Sequence, residues 1–460
     1  MAKTGRFRRR IAFGVIFLVL VLVGGGIALT NALTGSGAKT PAVAAAASAS
    51  LPSLGPAKPV LAALSATAPA PNPAAVSSAL TTLLHAPALG DGVTASVLDV
   101  QSGTVLLDQN ASAPAAPAST AKLLTSAAVL TTLGPNATIA TKVVAGAAPG
   151  EVVLVGGGDP TLSRTAPSKS YPGAATMADL AAQVRAAMPT PISRIVVDNS
   201  LFTGPLTAPG WAPGDAPSSY AAPVTATSVD GARTAPGSLG RSGAPGTDAG
   251  KALADALGVQ AAVSLGQAPP GAKTLATVHS APIERIVEQA LSMSDNMLAE
   301  ALSRQVAIAR HLPASFDGSA KAVTAALAQA GVDLAGVTLV DGSGLSRDDR
   351  IPAAVLAQVV RAAANGTLGN AADLLSGLPV AGYDGTLADR GDSDPKTFPG
   401  TVRAKTGTLL GVHALAGTVV DEDGRLLAFA FLGNDVPGSE SAAEGALDDV
   451  ATELARCGCR

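Results

Sequence analysis

A serine placed three residues before a lysine can form a nucleophile and its base. Three such pairs occur in the sequence: Ser36–Lys39, Ser119–Lys122 and Ser393–Lys396. On an α-helix residues i and i+3 share a face, so the lysine amine can reach the serine hydroxyl. When that amine is desolvated or lies near a second cation, its pKa falls and it can accept the serine proton at neutral pH.

Only Ser119–Lys122 lies in a context that favours this chemistry. The first pair lies in a stretch that contains glycine, and Pro395 argues against a shared helix for the third. Ser119 follows a small, turn-prone stretch and opens a predicted helix that ends at Gly134. At a helix N-terminus the backbone N–H groups favour developing negative charge. Ser119 could equally be a simple N-cap.

Two further polar groups accompany this pair. Ser294-Asp295-Asn296 is the one Ser-x-Asn of the chain and lies in a polar break between two predicted helices, where a helix cap is the alternative. Lys405-Thr406-Gly407 lies in an apolar, strand-like run and could line a cleft, with Gly407 letting a ligand approach the backbone. A second copy, Lys3-Thr4-Gly5, precedes a basic cluster at the N-terminus, and we interpret it as a coincidence.

Other chemistries find little support. No G-x-S-x-G motif occurs, and the four histidines (His85, His279, His311 and His413) are scattered. Neither H-E-x-x-H nor paired Cys/His spacing is present, so we expect no metal and no cofactor. The net charge of −3 argues against nucleic-acid binding.

Ser-x-x-Lys, Ser-x-Asn and Lys-Thr-Gly, in this order, resemble the signature of the acyl-serine penicillin-recognising enzymes. The strings LVGGGDPTLS, VVDNSLFTGP, PGWAPGDAPSSYAAPV and VDGSGLSRDDRI make the chain similar to the penicillin-binding protein 4 type of D-alanyl-D-alanine carboxypeptidase/endopeptidase, peptidase family S13. The resemblance covers roughly residues 85–455. Class C β-lactamases, with Tyr-x-Asn, and class A enzymes, without so long an insertion, fit less well.

The resemblance implies catalytic roles for five residues. Ser119 would attack the D-Ala–D-Ala carbonyl, and Lys122 would take its proton. Ser294 would relay protons to the leaving group, while Asn296 would hold the substrate backbone and Lys122. Lys405 would supply positive charge that keeps Lys122 deprotonated and attracts the terminal carboxylate.

The same resemblance implies binding residues. Thr406 and Thr408 could hydrogen-bond the terminal carboxylate, and the backbone N–H groups of Thr408 and of the nucleophile would form the oxyanion hole. Asp215 and Tyr220 match acidic and aromatic positions suited to an amino-acid zwitterion such as meso-diaminopimelate, whose carboxylate could pair with Arg347.

The elements that must position these residues come from both ends of one domain. Hairpin, helix, insertion, helices, strands and a last helix at about 440–456 predict an α+β fold, one antiparallel sheet covered by helices. We expect a β-lactamase/transpeptidase-like domain with an inserted β-rich module, preceded by one transmembrane helix. The predicted segments are a cytoplasmic basic tail (1–10), a transmembrane anchor or signal segment (11–30), an Ala/Pro-rich tether (31–84), the peptidase domain (85–139 and 276–460) and the insertion (140–275).

Both ends of the chain carry further expectations. Residues 11–29 are uncharged and follow an arginine cluster, which favours an uncleaved membrane anchor with an exported body; a cleaved signal peptide is the alternative. Cys457 and Cys459 are the only cysteines, and a bond between residues two apart would be strained. We therefore expect two thiols in a frayed tail, with a redox role as the alternative.

The sequence therefore predicts an exported serine D,D-peptidase that cleaves peptidoglycan stem peptides through an acyl-enzyme, with β-lactams as covalent inhibitors. A β-lactamase or esterase on the same scaffold and a non-catalytic wall-binding module are the alternatives.

Overall fold

The computed structural model describes residues 67–390 and 400–460. The predicted basic tail, the membrane segment 11–30, most of the predicted tether and the pairs Ser36–Lys39 and Ser393–Lys396 lie outside these residues. In the described part of the chain, no helix is long and apolar enough to cross a membrane.

The elements alternate in blocks along the chain. The helices are α1 (Pro73–Leu84), α2 (Lys122–Leu133), α3 (Met177–Ala187), α4 (Pro245–Leu257), α5 (Ile283–Ser292), α6 (Asn296–Ala309), α7 (Phe316–Gln329), α8 (Ala353–Ala364) and α9 (Glu440–Arg456). The strands are β1 (Thr94–Asp99), β2 (Val105–Gln109), β3 (Pro114–Ala115), β4 (Ala140–Ala145), β5 (Glu151–Val155), β6 (Arg194–Asp198), β7 (Ala262–Gly266), β8 (Thr274–His279), β9 (Ile351–Pro352), β10 (Val402–Leu409), β11 (Val412–Val420) and β12 (Leu426–Asn434).

The main sheet is built from both ends of the domain, as predicted. Its strand order is β10-β11-β12-β1-β2, and every neighbouring pair is antiparallel. Strand β12 pairs with β1 from Thr94 opposite Leu432 to Asp99 opposite Leu427. This pairing joins the C-terminal strands to the first hairpin, so the predicted α+β sheet is confirmed.

Helices cover both faces of the main sheet. On one face, α8 packs on β1 and β12, and α2 lies among α5, α6, α7 and α8. Nine residues of α2, from Lys122 to Leu130, are buried, which is typical of a helix surrounded by other elements. On the other face, α9 packs on β11 and α1 packs on α9 and β2.

The prediction of a tether up to residue 84 is wrong for its last twelve residues, which form α1. Asn72 caps this helix by accepting from the backbone N–H groups of the first turn, and Pro73 begins it. Val76, Leu80 and Leu84 are buried at four-residue spacing. Their burial against the sheet and α9 outweighs an Ala/Pro/Ser-rich composition that resembles a linker.

The insertion forms a second five-stranded sheet, in the order β7-β6-β5-β4-β8. It extends to His279 and contains two helices, α3 and α4, which the prediction of a β-rich module lacked. Strands β5, β6 and β7 are parallel, and parallel neighbours need crossover connections, which these helices supply. Helices and strands share a core of their own, including Leu154, Ile195, Leu180 and Leu253.

The C-terminal tail is not frayed. Cys457 and Cys459 form a disulfide with their Cα atoms 4.9 Å apart, so the prediction of two thiols is wrong. Cys457 is buried in the core under α1 and α9, and the Asn72 backbone N–H donates to the Cys459 carbonyl at 2.6 Å. The residues after α9 are therefore tied to the start of α1 by a backbone hydrogen bond and by apolar packing.

Candidate active site

Ser119 lies in a single 3-10 turn, Ala118–Ala121, that leads directly into α2. The spacing places the pair as predicted: Lys122 Nζ lies 2.9 Å from Ser119 Oγ. Ser119 is not the N-cap of α2, because that position is Ala121 and carries no side-chain cap. Ala118, immediately before the serine, has a left-handed backbone (φ 46°), which places the half-buried hydroxyl at the rim of a cleft.

Lys122 is fully buried and its amine meets three oxygen atoms. Besides Ser119, Nζ donates to Asn296 Oδ1 at 2.6 Å and to the Ser343 carbonyl at 2.7 Å. Burial lowers the pKa of Lys122 to about 8, against the opposing pull of nearby carboxylates, Asp341 first among them. The amine is therefore close to titrating at neutral pH, the condition under which a lysine can act as a general base.

The Ser294–Asn296 segment is the turn between α5 and α6, as the sequence predicted. Ser294 has a left-handed backbone (φ 53°) and faces the cleft. Asp295 caps α6, accepting from the Met297 backbone N–H at 3.0 Å. Asn296 begins the helix, and its Nδ2 donates to the Tyr220 carbonyl at 3.2 Å. That bond orients the amide so that Oδ1 faces Lys122.

Strand β10 forms the opposite wall of the cleft. Lys405 is fully buried and donates to the Thr406 carbonyl at 2.9 Å. Burial and then the positive charge of Lys122 hold the pKa of Lys405 well below its usual range. Thr406 and Thr408 line the cleft, and Thr406 Oγ1 donates to Thr386 Oγ1 at 2.9 Å.

Gly407 has a packing role that the sequence did not indicate. A Cβ at this position would lie 2.8 Å from the Pro117 carbonyl oxygen and 3.2 Å from Ala118 Cβ. The absent side chain therefore lets the strand pack against the turn that carries Ser119.

The loop from Asp341 to Leu345 was missed as part of the site. It supplies the Ser343 carbonyl to Lys122, and Gly344 (φ +77°) packs so closely on the nucleophile turn that a Cβ would lie 1.9 Å from the Ala118 carbonyl oxygen. Asp341 fixes the loop by accepting from the backbone N–H of Gly344 at 2.6 Å and from Trp211 Nε1 at 2.7 Å. The sequence signal was the string Asp-Gly-Ser-Gly, in which two glycines flank one serine.

A buried carboxylate supports the same loop from α6. Glu300 Oε1 accepts from the Gly342 backbone N–H at 3.0 Å, and its other oxygen pairs with Arg304 at 3.1 Å. Burial, together with the charge of Asp341, raises the pKa of Glu300 to about 7. Both carboxylates lie behind Lys122, where their negative charge opposes deprotonation of the amine.

The three residues predicted to bind a zwitterion all line the cleft, but two of them pair with each other. Arg347 Nη1 lies 2.7 Å from Asp215 Oδ2, which also accepts from the Ala212 backbone N–H. Tyr220 is largely exposed, at 63%.

The cleft encloses about 880 Å³ between the α6 end, β10 and the start of α9. It is lined by Ser119, Asp215, Tyr220, Ser294, Asn296, Gly344, Leu345, Arg347, Thr386, Thr406, Thr408, Leu409, Leu410, Gly411, His413, Val436, Pro437, Gly438, Glu440 and Glu444. Within residues 67–390 and 400–460, no three His, Cys, Asp or Glu side chains are grouped to hold a metal ion.

Comparison with known proteins gives a consistent picture. The model of the D-Ala-D-Ala carboxypeptidase 3 (S13) family matches residues 76–239 and 238–454. The chain is 43% identical over 403 residues to a carboxypeptidase of Mycobacterium tuberculosis, covering 85% of this chain and 86% of that protein. It is 41% identical over 464 residues to the carboxypeptidase DacB of Mycolicibacterium smegmatis, covering 99% of both.

Solved structures show the same fold. Penicillin-binding protein 4 of Haemophilus influenzae superimposes with a TM-score of 0.68 at 22% identity, covering 84% of this chain and 99% of that one. Its complex with a β-lactam superimposes with a TM-score of 0.62 at 23% identity, covering 81% and 98%.

Proposed function

Because this chain belongs to the D-Ala-D-Ala carboxypeptidase 3 (S13) family, we propose that Ser119 is its nucleophile and Lys122 the base. The chain is a serine-type D-alanyl-D-alanine carboxypeptidase that acts on peptidoglycan stem peptides and binds penicillin. The observation that carries the assignment of the nucleophile is the short contact between Ser119 Oγ and a buried amine with a lowered pKa.

In acylation, Ser119 Oγ attacks the carbonyl carbon of the penultimate D-Ala while its proton passes to neutral Lys122 Nζ. The C–N bond then breaks, and the departing amine takes that proton through Ser294. The backbone N–H groups of Ser119 and Thr408 stabilise the oxyanion, and each lowers the activation barrier by on the order of 3–4 kcal/mol. Water releases the acyl group by the reverse proton path.

Substrate binding helps to set the charge on the two lysines. The free site holds two buried amines whose charges repel, so burial and repulsion favour loss of a proton from the pair. A terminal carboxylate that approaches Thr406 and Thr408 brings negative charge next to Lys405 and favours its ammonium form. Lys122, left neutral, is then the base.

We also propose three finer points. The side chain of the diamino acid binds at Asp215, Arg347 and Tyr220. Its ammonium group pairs with Asp215 and its carboxylate with Arg347, in place of the ion pair that these two residues form with each other. The same pocket allows endopeptidase cleavage of a D-Ala–diaminopimelate bond.

Residues 11–30, uncharged after the arginine cluster, anchor the chain to the outer face of the bacterial cytoplasmic membrane.

Labelling with a tagged penicillin tests the nucleophile. We expect residues 67–460 of the wild type to form a stable adduct, and Ser119→Ala to form none. Ser112→Ala, an exposed serine on the same stretch, is the matched control and should label normally. Labelling that survives Ser119→Ala would refute the mechanism.

Release of D-Ala from a diaminopimelate-containing pentapeptide identifies a peptidase, whereas rapid turnover of the penicillin would identify a β-lactamase.

A further inference from the structure

The side chain at the centre of the Ser294–Asn296 turn points away from the cleft, into a cluster contributed by the insertion. Asp295 is buried, and its Oδ2 accepts from Tyr171 Oη at 2.8 Å and lies 3.3 Å from Arg233 Nη1. Its Oδ1 lies 3.1 Å from Arg241 Nη2. Tyr171, Arg233 and Arg241 all belong to the segment between β4 and β8.

These contacts form a closed network. Arg233 Nη1 donates to Tyr171 Oη at 2.6 Å, and its guanidinium lies over the tyrosine ring, 5.5 Å from the centroid. Arg241 also donates to the Gly231 carbonyl, so the network is fixed to the insertion's own backbone. Asp295 therefore contacts two charged donors and one neutral donor, and two of these three side chains, Tyr171 and Arg233, also bond to each other.

The cluster holds a turn that is unfavourable by itself. Ser294 has φ 53°, a conformation that costs a non-glycine residue on the order of 1–3 kcal/mol and persists where its surroundings determine it. Asp295 follows it, and Asn296, which follows Asp295, contacts Lys122. A shift of the Asp295 carboxylate would move both neighbours.

A second contact links the insertion to the same turn. The Tyr220 carbonyl accepts from Asn296 Nδ2 at 3.2 Å. The neighbouring backbone is tied to the cluster, because Arg241 N donates to the Ser218 carbonyl and Arg241 Nε to the Ser219 carbonyl. The insertion thus contacts the turn at two consecutive residues, Asp295 and Asn296.

We propose that Tyr171, Arg233 and Arg241 are positioning residues for catalysis, which act through Asp295 to set the geometry of Ser294 and Asn296. The insertion then helps to build the catalytic centre in addition to shaping the binding cleft. This inference rests on the proposed function, since it requires Ser294 and Asn296 to take part in the reaction.

Kinetics of three variants test the inference. Tyr171→Phe removes only the hydroxyl that donates to Asp295, and we expect kcat for D-Ala release to fall about tenfold with KM within twofold. Arg241→Ala should lower kcat about a hundredfold, as expected for a misplaced catalytic group. Arg241→Lys, which retains the charge, should recover part of that loss. The saturating rate of acylation by penicillin should change in parallel.

Arg425→Ala is the matched control. Arg425 also forms a buried pair, with Asp99 at 2.6 Å, and neither residue lines the cleft. The Arg425→Ala variant should be less stable than the wild type, but its folded fraction should have the kcat of the wild-type enzyme. If Arg241→Ala does not fold, Tyr171→Phe decides.

An unchanged kcat in Tyr171→Phe, or an effect confined to KM, would overturn the inference while wild-type activity upheld the proposed function. An inactive wild type that penicillin does not label would instead refute the function itself.

Discussion

At the scale of single residues, Lys122 shows how burial produces a base. Its amine is surrounded by three oxygen acceptors, yet loss of hydration lowers its pKa to about 8. The Asn296 and Ser343 oxygens keep the amine directed at Ser119 in either protonation state. Geometry and pKa thus have separate causes, the first in hydrogen bonds and the second in desolvation.

This pKa predicts the pH dependence of acylation. The neutral amine is the reactive form, and its fraction rises as pH increases through about 8. We expect the second-order rate of penicillin acylation to rise roughly tenfold per pH unit below that value and to level off above it. Stopped-flow labelling between pH 6 and pH 9 measures this acylation rate. The unfolding temperature at each pH serves as the control that the enzyme stays folded. A flat profile would contradict the assignment of Lys122 as base.

Gly407 gives a second prediction at this scale. In Gly407→Ala the new methyl would press on Pro117 and Ala118 and displace the nucleophile turn. We expect a loss of about 1–3 kcal/mol of stability and a ten- to hundredfold slower acylation. Thermal unfolding and labelling kinetics measure these.

Gly445→Ala is the control for that change. Gly445 is exposed within α9 and a Cβ there meets nothing within 4 Å, so alanine should stabilise by about 0.5–1 kcal/mol. An active, stable Gly407→Ala would show that the close packing is dispensable.

How far the sequence predicted the site depends on what kind of atom acts. Ser119 and Lys122 are brought together as their types and spacing indicated, and Asn296 joins them as the family resemblance implied, because side-chain chemistry is encoded in residue identity. The Ser343 carbonyl was not predicted, since every residue has one and only the fold selects which one meets the amine. The pairing of Asp215 with Arg347 was not predicted either, because only the three-dimensional fold brings these two distant residues together.

At the scale of elements, α1 shows where composition misleads. The stretch is rich in alanine, proline and serine, but Asn72-Pro73 is a helix-start signal. Val76, Leu80 and Leu84 follow it at helical spacing. Three buried apolar residues in twelve were enough because α9 and β2 form a surface against which they pack. The parallel strands of the insertion escaped prediction because an apolar run shows burial but not the direction of its neighbour.

The role of α1 is directly testable. Leu80 is fully buried, so Leu80→Ala should lower the free energy of unfolding by about 2–5 kcal/mol. Thr82→Ala, on the exposed face of the same helix, should change it by less than about 0.5 kcal/mol. Urea titration of both variants checks this. Equal stabilities would mean that the segment acts as a tether after all.

At the scale of the whole molecule, the two sheets are joined by charge as well as by apolar contact. Asp295 extends from the turn between α5 and α6 into a cluster of the insertion. Burial alone would raise the pKa of this carboxyl, but the charges of Arg241 and Arg233 and the hydrogen bonds from Tyr171 and Arg241 together outweigh burial and hold its pKa below the ordinary value. Folding and the ionised state of Asp295 are therefore coupled.

That coupling predicts how stability changes in acid. A group whose pKa is lowered in the folded state stabilises the fold above its unfolded pKa, near 3.8, and this contribution is lost as pH falls further. Asp295→Asn should be about 3–5 kcal/mol less stable than wild type at pH 7, and the gap should narrow below about pH 4.

Urea midpoints at pH 7, 5 and 3 measure the gap. Asp317→Asn is the control, since Asp317 forms an exposed pair with Lys321 and should differ from wild type by less than about 0.5 kcal/mol. A gap for Asp295→Asn that stays constant down to pH 3 would contradict the coupling.

The contact between Trp211 and Asp341 makes the tryptophan an intrinsic fluorescent probe of the active-site loop. Trp211 is the single tryptophan, and its indole N–H donates to the carboxylate that also holds the Ser343–Gly344 backbone. Its ring packs edge-on against Phe316, 5.6 Å between centroids. The intrinsic fluorescence of the protein therefore originates beside the loop that supports Lys122. Emission recorded while an unlabelled substrate or β-lactam is mixed in would follow this loop through each turnover, with no dye attached.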